Sequence, residues 1–145
     1  MSACLAGLCT DWRGGSDLIP WVQQAVARGE AIPVCPEQLG GLPTPRVPSE
    51  RRGECVVSET GRDVTEAFRR GAERAVEIAR GMGCEIAVLA SRSPSCGVGK
   101  ICDGTFSGTL VPGDGVTAER LRQEGLRVIS SEDVPDPSAL HRIIG

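Results

Sequence analysis

Apolar and polar positions alternate along the chain between a helical and an extended period. The clearest helical run is GRDVTEAFRRGAERAVEIARGMG, in which Phe68, Ala72, Ala75, Ala79 and Met82 form one apolar stripe. Asp63 and Glu66 make a D-x-x-E capping pattern at its start, and Gly83 offers a left-handed stop. A shorter helix is predicted in GGSDLIPWVQQAVARGE, where Leu18, Val22 and Val26 recur every four residues. Ser16 and Asp17 are its candidate caps, and Pro20 suits its first turn. VTAERLRQEG and DPSALHRIIG complete the helices, the last with Asp136 or Ser138 as cap.

Between these helices lie extended runs. CEIAVLA is continuously apolar, the pattern of a strand buried on both faces. SACLAGLC, AIPVCPE and LRVISSE read as shorter strands, and DGTFSGTLVPGDG as a short strand or a loop. LGGLPTPRVPSERRGE carries three prolines and several glycines and reads as a long irregular loop. Strands alternating with helices predict an α/β protein: a Rossmann-like layered sandwich with a mostly parallel sheet. No internal repeat or second domain is visible, so residues 1–145 are expected to form a single domain.

Composition narrows the picture. Aromatic residues make up 3% of the chain against 40% hydrophobic overall, so Ala, Val, Leu and Ile must build the core. The net charge of −3 offers no basic field for a long polyanion, which argues against an extended nucleic-acid surface. No run approaches the roughly 18 apolar residues that span a membrane. The N-terminus also lacks the basic and apolar regions of a secretion signal, so a cytoplasmic location is expected. In a reducing compartment, seven irregularly spaced cysteines point to metal ligation, catalysis or burial before disulfides.

Sites in parallel α/β sheets form beyond the carboxyl ends of the strands. Cys4, Cys35 and Cys96 fall at three such ends, and the Pro and Gly residues in CPE and SPSCG are loop chemistry. Cys84 beside the apolar strand reads as packing, and Cys55 as an inert, partly exposed thiol. Three converging thiolates suit a soft metal: zinc with Cys9 as a fourth ligand, or a cuboidal 4Fe-4S cluster with one open iron. The chain has no CxxC pair, and its only histidine, His141, lies in the last helix.

In chain order, SACLAG, VCPEQLGGLPTPR, GRDVTEAF and SPSCGVGKICDGTFSGTLVPGDGVTAERL resemble the thiouracil desulfidases and their relatives, over roughly residues 2–132. The resemblance implies a 4Fe-4S cluster held by Cys4, Cys35 and Cys96, with Glu37 and Ser93 at active-site positions. It implies removal of sulfur from a thiolated pyrimidine (2- or 4-thiouracil or a thiouridine nucleotide), giving the uracil or uridine product and hydrogen sulfide. The chain departs from the family at Trp12-Arg13, where Tyr-Asp is usual, and at Cys102, where Tyr is usual. Asp11 is the nearest acid to stand in for the first of these.

That chemistry needs a sulfur acceptor, a polarised C=S bond and an activated water. An open iron supplies the first two. Glu37, two residues from Cys35, is placed to act as general base, and Ser93 to donate to the ring or the sulfur. Arg46 is the candidate for a phosphate or a uracil carbonyl. Asp103, Thr105 and Ser107 are candidates for further substrate contact. The expected partner is a small thiopyrimidine or its nucleotide, with no membrane. The contrasting reading is a non-enzymatic metal-binding or sulfur-carrier module built on the same cysteines.

Overall fold

The computed structural model describes residues 1–144. Five α-helices occur: α1 (Pro20–Ala27), α2 (Pro36–Leu39), α3 (Thr65–Gly81), α4 (Val116–Gln123) and α5 (Pro137–Ile144). Six strands accompany them: β1 (Ser49–Arg52), β2 (Cys55–Ser58), β3 (Ile86–Leu89), β4 (Lys100–Cys102), β5 (Leu110–Pro112) and β6 (Arg127–Ser130). The fold is mixed α/β, but the expected mostly parallel sheet contracts to one parallel pair, β3–β6. The other strands pair as antiparallel hairpins, β1–β2 and β4–β5.

The reason lies at residues 2 and 34. Both were read inside strands, yet each contributes only a single parallel bridge, Ser2 to Val34. Prolines on both sides of Val34-Cys35 remove N–H donors, and a 3-10 turn begins at Ala3. Single bonds still align these segments with β3: the Ser2 N–H donates to Val88 O at 3.1 Å and the Ala3 N–H to Val34 O at 2.8 Å. Cys4 and Cys35 therefore leave the core side by side.

Helix α3 follows its apolar stripe, with Phe68, Ala72, Ala75 and Ala79 buried. Val76 joins them, whereas Met82 is 66% exposed, because it lies past the last turn against the core. The capping box does not form. Asp63 Oδ1 instead accepts the Thr65 N–H at 2.9 Å, and Glu66 reaches Arg69 on the surface. Gly83 adopts φ 68°, as its left-handed stop requires. Asp136 caps α5 by accepting the Ala139 N–H at 2.8 Å.

The long loop is more ordered than its composition suggests. It begins at the last residue of α2, which starts at Pro36 inside the segment read as a strand, and it carries β1 and the turn of the β1–β2 hairpin, whose SERRGE segment has no apolar alternation to announce a strand. Two glycines bring α2 against α3. A Cβ at Gly71 would lie 1.9 Å from Pro36 O, and one at Gly40 would lie 2.0 Å from Ala67 O. This backbone-to-backbone contact sets the position of Cys35 and Glu37, which share the segment with Pro36.

Candidate functional site

One cavity of about 350 Å³ collects the three strand-end loops, and Cys4, Cys35, Cys96, Glu37, Arg46 and Ser93 all line it. Cys4 arrives on the 3-10 turn, Cys35 immediately before α2, and Cys96 in the turn after β3. Cys96 is buried, while Cys4 and Cys35 are half-buried. A more open hollow of about 560 Å³ at the start of α3 holds none of these residues. Cys9 and Cys55 are exposed and lie outside the cysteine-lined cavity, and Cys84 packs against the core.

The turn carrying Cys96 is held by Ser93. Its Oγ accepts the Ser95 N–H at 3.1 Å and the Cys96 N–H at 3.0 Å. With two bonds accepted, the hydroxyl proton is left to donate elsewhere, and Ser93 faces the cavity. Gly97 allows the turn to close tightly, since a Cβ there would lie 2.7 Å from Ser93 O and from Ile101 Cγ2.

Arg46 has partners for all five of its N–H groups. Nε donates to Glu37 Oε1 at 3.1 Å, and Nη1 to Thr44 Oγ1 at 2.9 Å and Pro43 O at 3.3 Å. Nη2 donates to Thr10 O at 2.9 Å and to Cys35 Sγ at 3.9 Å. The guanidinium is therefore spent within the protein and has no donor left for a phosphate or a carbonyl. Asp103, Thr105 and Ser107 also turn to one another. Asp103 Oδ1 accepts the Thr105 hydroxyl at 2.6 Å, and the Thr105 and Ser107 hydroxyls are 2.6 Å apart. They occupy the exposed β4–β5 loop and do not line the cavity.

Burial dominates the electrostatics. It pushes the Cys4 thiol up to about 12, reinforced by Cys96, Asp17, Cys35 and Asp11. It pushes Cys96 up to about 11, with hydrogen bonding to Ser2 and Ser95 acting in the opposite direction. Burial also raises the Glu37 carboxyl above its ordinary value, against the pull of Arg46. Asp11 moves the other way. Burial alone would raise it, but the Arg13 side chain and the Gly15 and Arg13 N–H groups hold it lower.

Thiols crowded in a poorly solvated cavity oppose one another's ionisation, and a cationic centre shared between them removes that penalty. Among the described residues, no three of His, Cys, Asp or Glu converge on one point as ligands of a single ion would. A cuboidal cluster asks for something else: each thiolate meets a different iron, so the ligands stand around its corners. Cys4, Cys35 and Cys96 line one cavity, and three soft donors have the chemistry for that group.

Comparison with known proteins gives a consistent result. The family model described as 2-thiouracil desulfurase matches residues 1–133. The chain belongs to the 2-thiouracil desulfurase family. It is similar to the uncharacterized protein YbbK of Bacillus subtilis (strain 168), 37% identical over 146 residues, covering 94% of this chain and 97% of that protein. It is also similar to a solved structure of the 4Fe-4S-dependent thiouracil desulfidase TudS. There the identity is 42% and the TM-score 0.90, covering 98% of this chain and 95% of that one. The three cysteine-bearing loops are accompanied by cavity residues that sequence reading gave no part in binding, among them Trp12, Glu50, Arg51 and Cys102. Glu50 and Arg51 went unnoticed because they lie on β1, inside the segment read as loop.

Proposed function

We propose that this chain is a thiouracil desulfidase that carries a 4Fe-4S cluster on Cys4, Cys35 and Cys96 and replaces the sulfur of a thiopyrimidine with oxygen from water. The observation that carries the reading is the shared cavity of those three thiols with Glu37 and Ser93. When bound, the cluster supplies a soft Lewis-acidic iron for the thiocarbonyl sulfur. The remaining work falls to the chain's own side chains.

Glu37 takes a proton from the attacking water and returns it to the departing sulfur. Arg46 fixes the carboxylate through Oε1, which leaves Oε2 for the water. Ser93, its lone pairs occupied by the turn, directs its hydroxyl proton towards the substrate. The C=S bond is exchanged for C=O, water provides the oxygen, and hydrogen sulfide leaves with both protons. No electrons are transferred overall.

The substrate in this reading is a small thiolated base or its nucleotide, handled by a single cytoplasmic domain. The negative net charge supports a small ligand over a long nucleic acid. No helix among the described residues is long and apolar enough to cross a membrane. Asp103, Thr105 and Ser107 shape the β4–β5 loop beside the cavity.

The test is anaerobic reconstitution with iron and sulfide, followed by metal counting and a sulfide-release assay. Absorption near roughly 400 nm and about four irons per chain, both lost on Cys96→Ala, with sulfide released from 2- or 4-thiouracil, is the expected result. A colourless protein or a cluster without turnover overturns the proposal.

A further inference from the structure

Four carboxylates line the cavity: Asp11, Asp17, Glu37 and Glu50. Asp11 and Asp17 pair with Arg13, and Glu37 pairs with Arg46. Among the described residues, Glu50 alone of the four has no cation within ion-pair distance. It is nevertheless held firmly, because Oε1 accepts two backbone N–H groups of the β4–β5 loop, from Gly104 and Phe106, each at 3.0 Å.

The opposite side of the same glycine is held by Arg52, whose Nε donates to Gly104 O at 2.7 Å. Residues 50 and 52 lie two apart on β1 and so project from one face of the strand. Gly104 itself has φ 95°, and a Cβ there would lie 2.3 Å from Arg52 Cγ. Both hydrogen bonds to Glu50 use Oε1. Among the described residues Oε2 accepts none, and no fully buried side-chain oxygen is left without a partner. Glu50 lines the cavity, and its Oε2 is neither fully buried nor committed to a donor among the described residues.

We propose that Glu50 Oε2 accepts the ring N3–H of the thiopyrimidine, which adjoins the C=S carbon in both the 2-thio and the 4-thio isomers. The inference rests on the desulfidase reading and adds to it a specificity-determining residue. A lone anionic acceptor selects the N–H thione tautomer, the form that presents C=S to water. It repels the ring anion, whose nitrogen has lost that proton. Because the loop N–H groups hold the carboxylate before substrate arrives, little side-chain freedom is lost on binding. Glu50 is anchored by the loop after Cys102 and not by the turns that carry Cys4, Cys35 and Cys96.

Glu50→Gln keeps an oxygen for the Gly104 and Phe106 N–H groups and turns an NH2 donor against the ring N–H. On the reconstituted holoenzyme, uracil binding measured by calorimetry is expected to weaken about 10- to 100-fold in this variant. Amide exchange at Gly104 and Phe106 is expected to stay at the wild-type rate. With wild-type enzyme, N3-methyl-2-thiouracil should lose about 10- to 100-fold in kcat/KM against 2-thiouracil, and Glu50→Gln should treat the two alike. Wild-type turnover of the methylated compound at near the parent rate overturns the assignment without any variant. So does wild-type uracil affinity in Glu50→Gln, or an undiminished methyl penalty in that variant. Failure of wild-type holoenzyme to release sulfide from either thiouracil overturns the underlying desulfidase reading instead.

Discussion

Arg46 Nε meets Glu37 Oε1 at 3.1 Å in a pair whose side chains are only 7% and 17% exposed. The cation has no spare N–H, so its role is to hold a carboxylate in place within poorly solvated surroundings. Removing it leaves that carboxylate buried and alone. Arg46→Ala should cost about 3–5 kcal/mol of stability, read by urea unfolding. Its kcat should fall while KM changes little. A rise in KM with unchanged kcat would place the guanidinium on the substrate after all. Arg46→Lys restores the charge without the five-donor fork and should fall between.

Glu37 is separable from the cluster. Glu37→Gln keeps the shape and the Arg46 contact but cannot take a proton. Iron content and absorption should match the wild type, while sulfide release drops about 10²- to 10⁴-fold. Loss of iron in this variant would mean that Glu37 supports the metal site and not the water.

The contact between α2 and α3 makes a stability test with a functional readout. Gly71→Ala places a methyl group 1.9 Å from Pro36 O, where only backbone movement can relieve the clash. A loss of about 3 kcal/mol is expected. Because Cys35 precedes Pro36, the variant should also retain less iron after reconstitution. Full iron retention with lowered stability would show that the loop tolerates the shift.

Asp11 sets a pH dependence. Its folded-state pKa is held below the ordinary value, since Arg13 and the two N–H groups outweigh the opposing effect of burial. The sign follows: its stabilisation is fully present above the unfolded value of about 3.9 and disappears as pH falls through the lower folded value. The urea midpoint of wild type should exceed that of Asp11→Asn by a constant margin from pH 7 down to about pH 4. Below that the margin should narrow. A margin unchanged at pH 2 would show that the carboxylate charge contributes nothing.

Helices α1, α3, α4 and α5 and the buried pair β3–β6 were legible because a period of apolar residues is a local property, whereas the one-turn α2 was not. Burying Phe68 or Val88 requires only that the repeat match the element. Met82 fits the same repeat and still faces solvent, since the helix ends one residue before it, at Gly81. The β1–β2 hairpin was hidden for the converse reason. SERRGE pairs through backbone groups that every residue carries, so its charged side chains give no sign of it.

For the site, the chain alone determined which reactive residue types are available and in what local setting. The thiols of Cys4, Cys35 and Cys96, the acid in CPE and the hydroxyl in SPSC are matters of residue type and local punctuation. Only tertiary structure decided what each is free to do. Packing turned all five Arg46 donors inward and left Asp103, Thr105 and Ser107 bonded to one another outside the cavity. It also brought Glu50 to the cavity wall with one oxygen uncommitted. A hydrogen-bonding group serves a ligand only with the capacity its protein neighbours leave unused. Those neighbours, such as Thr10 for Arg46 and Gly104 for Glu50, lie 36 and 54 residues away along the chain.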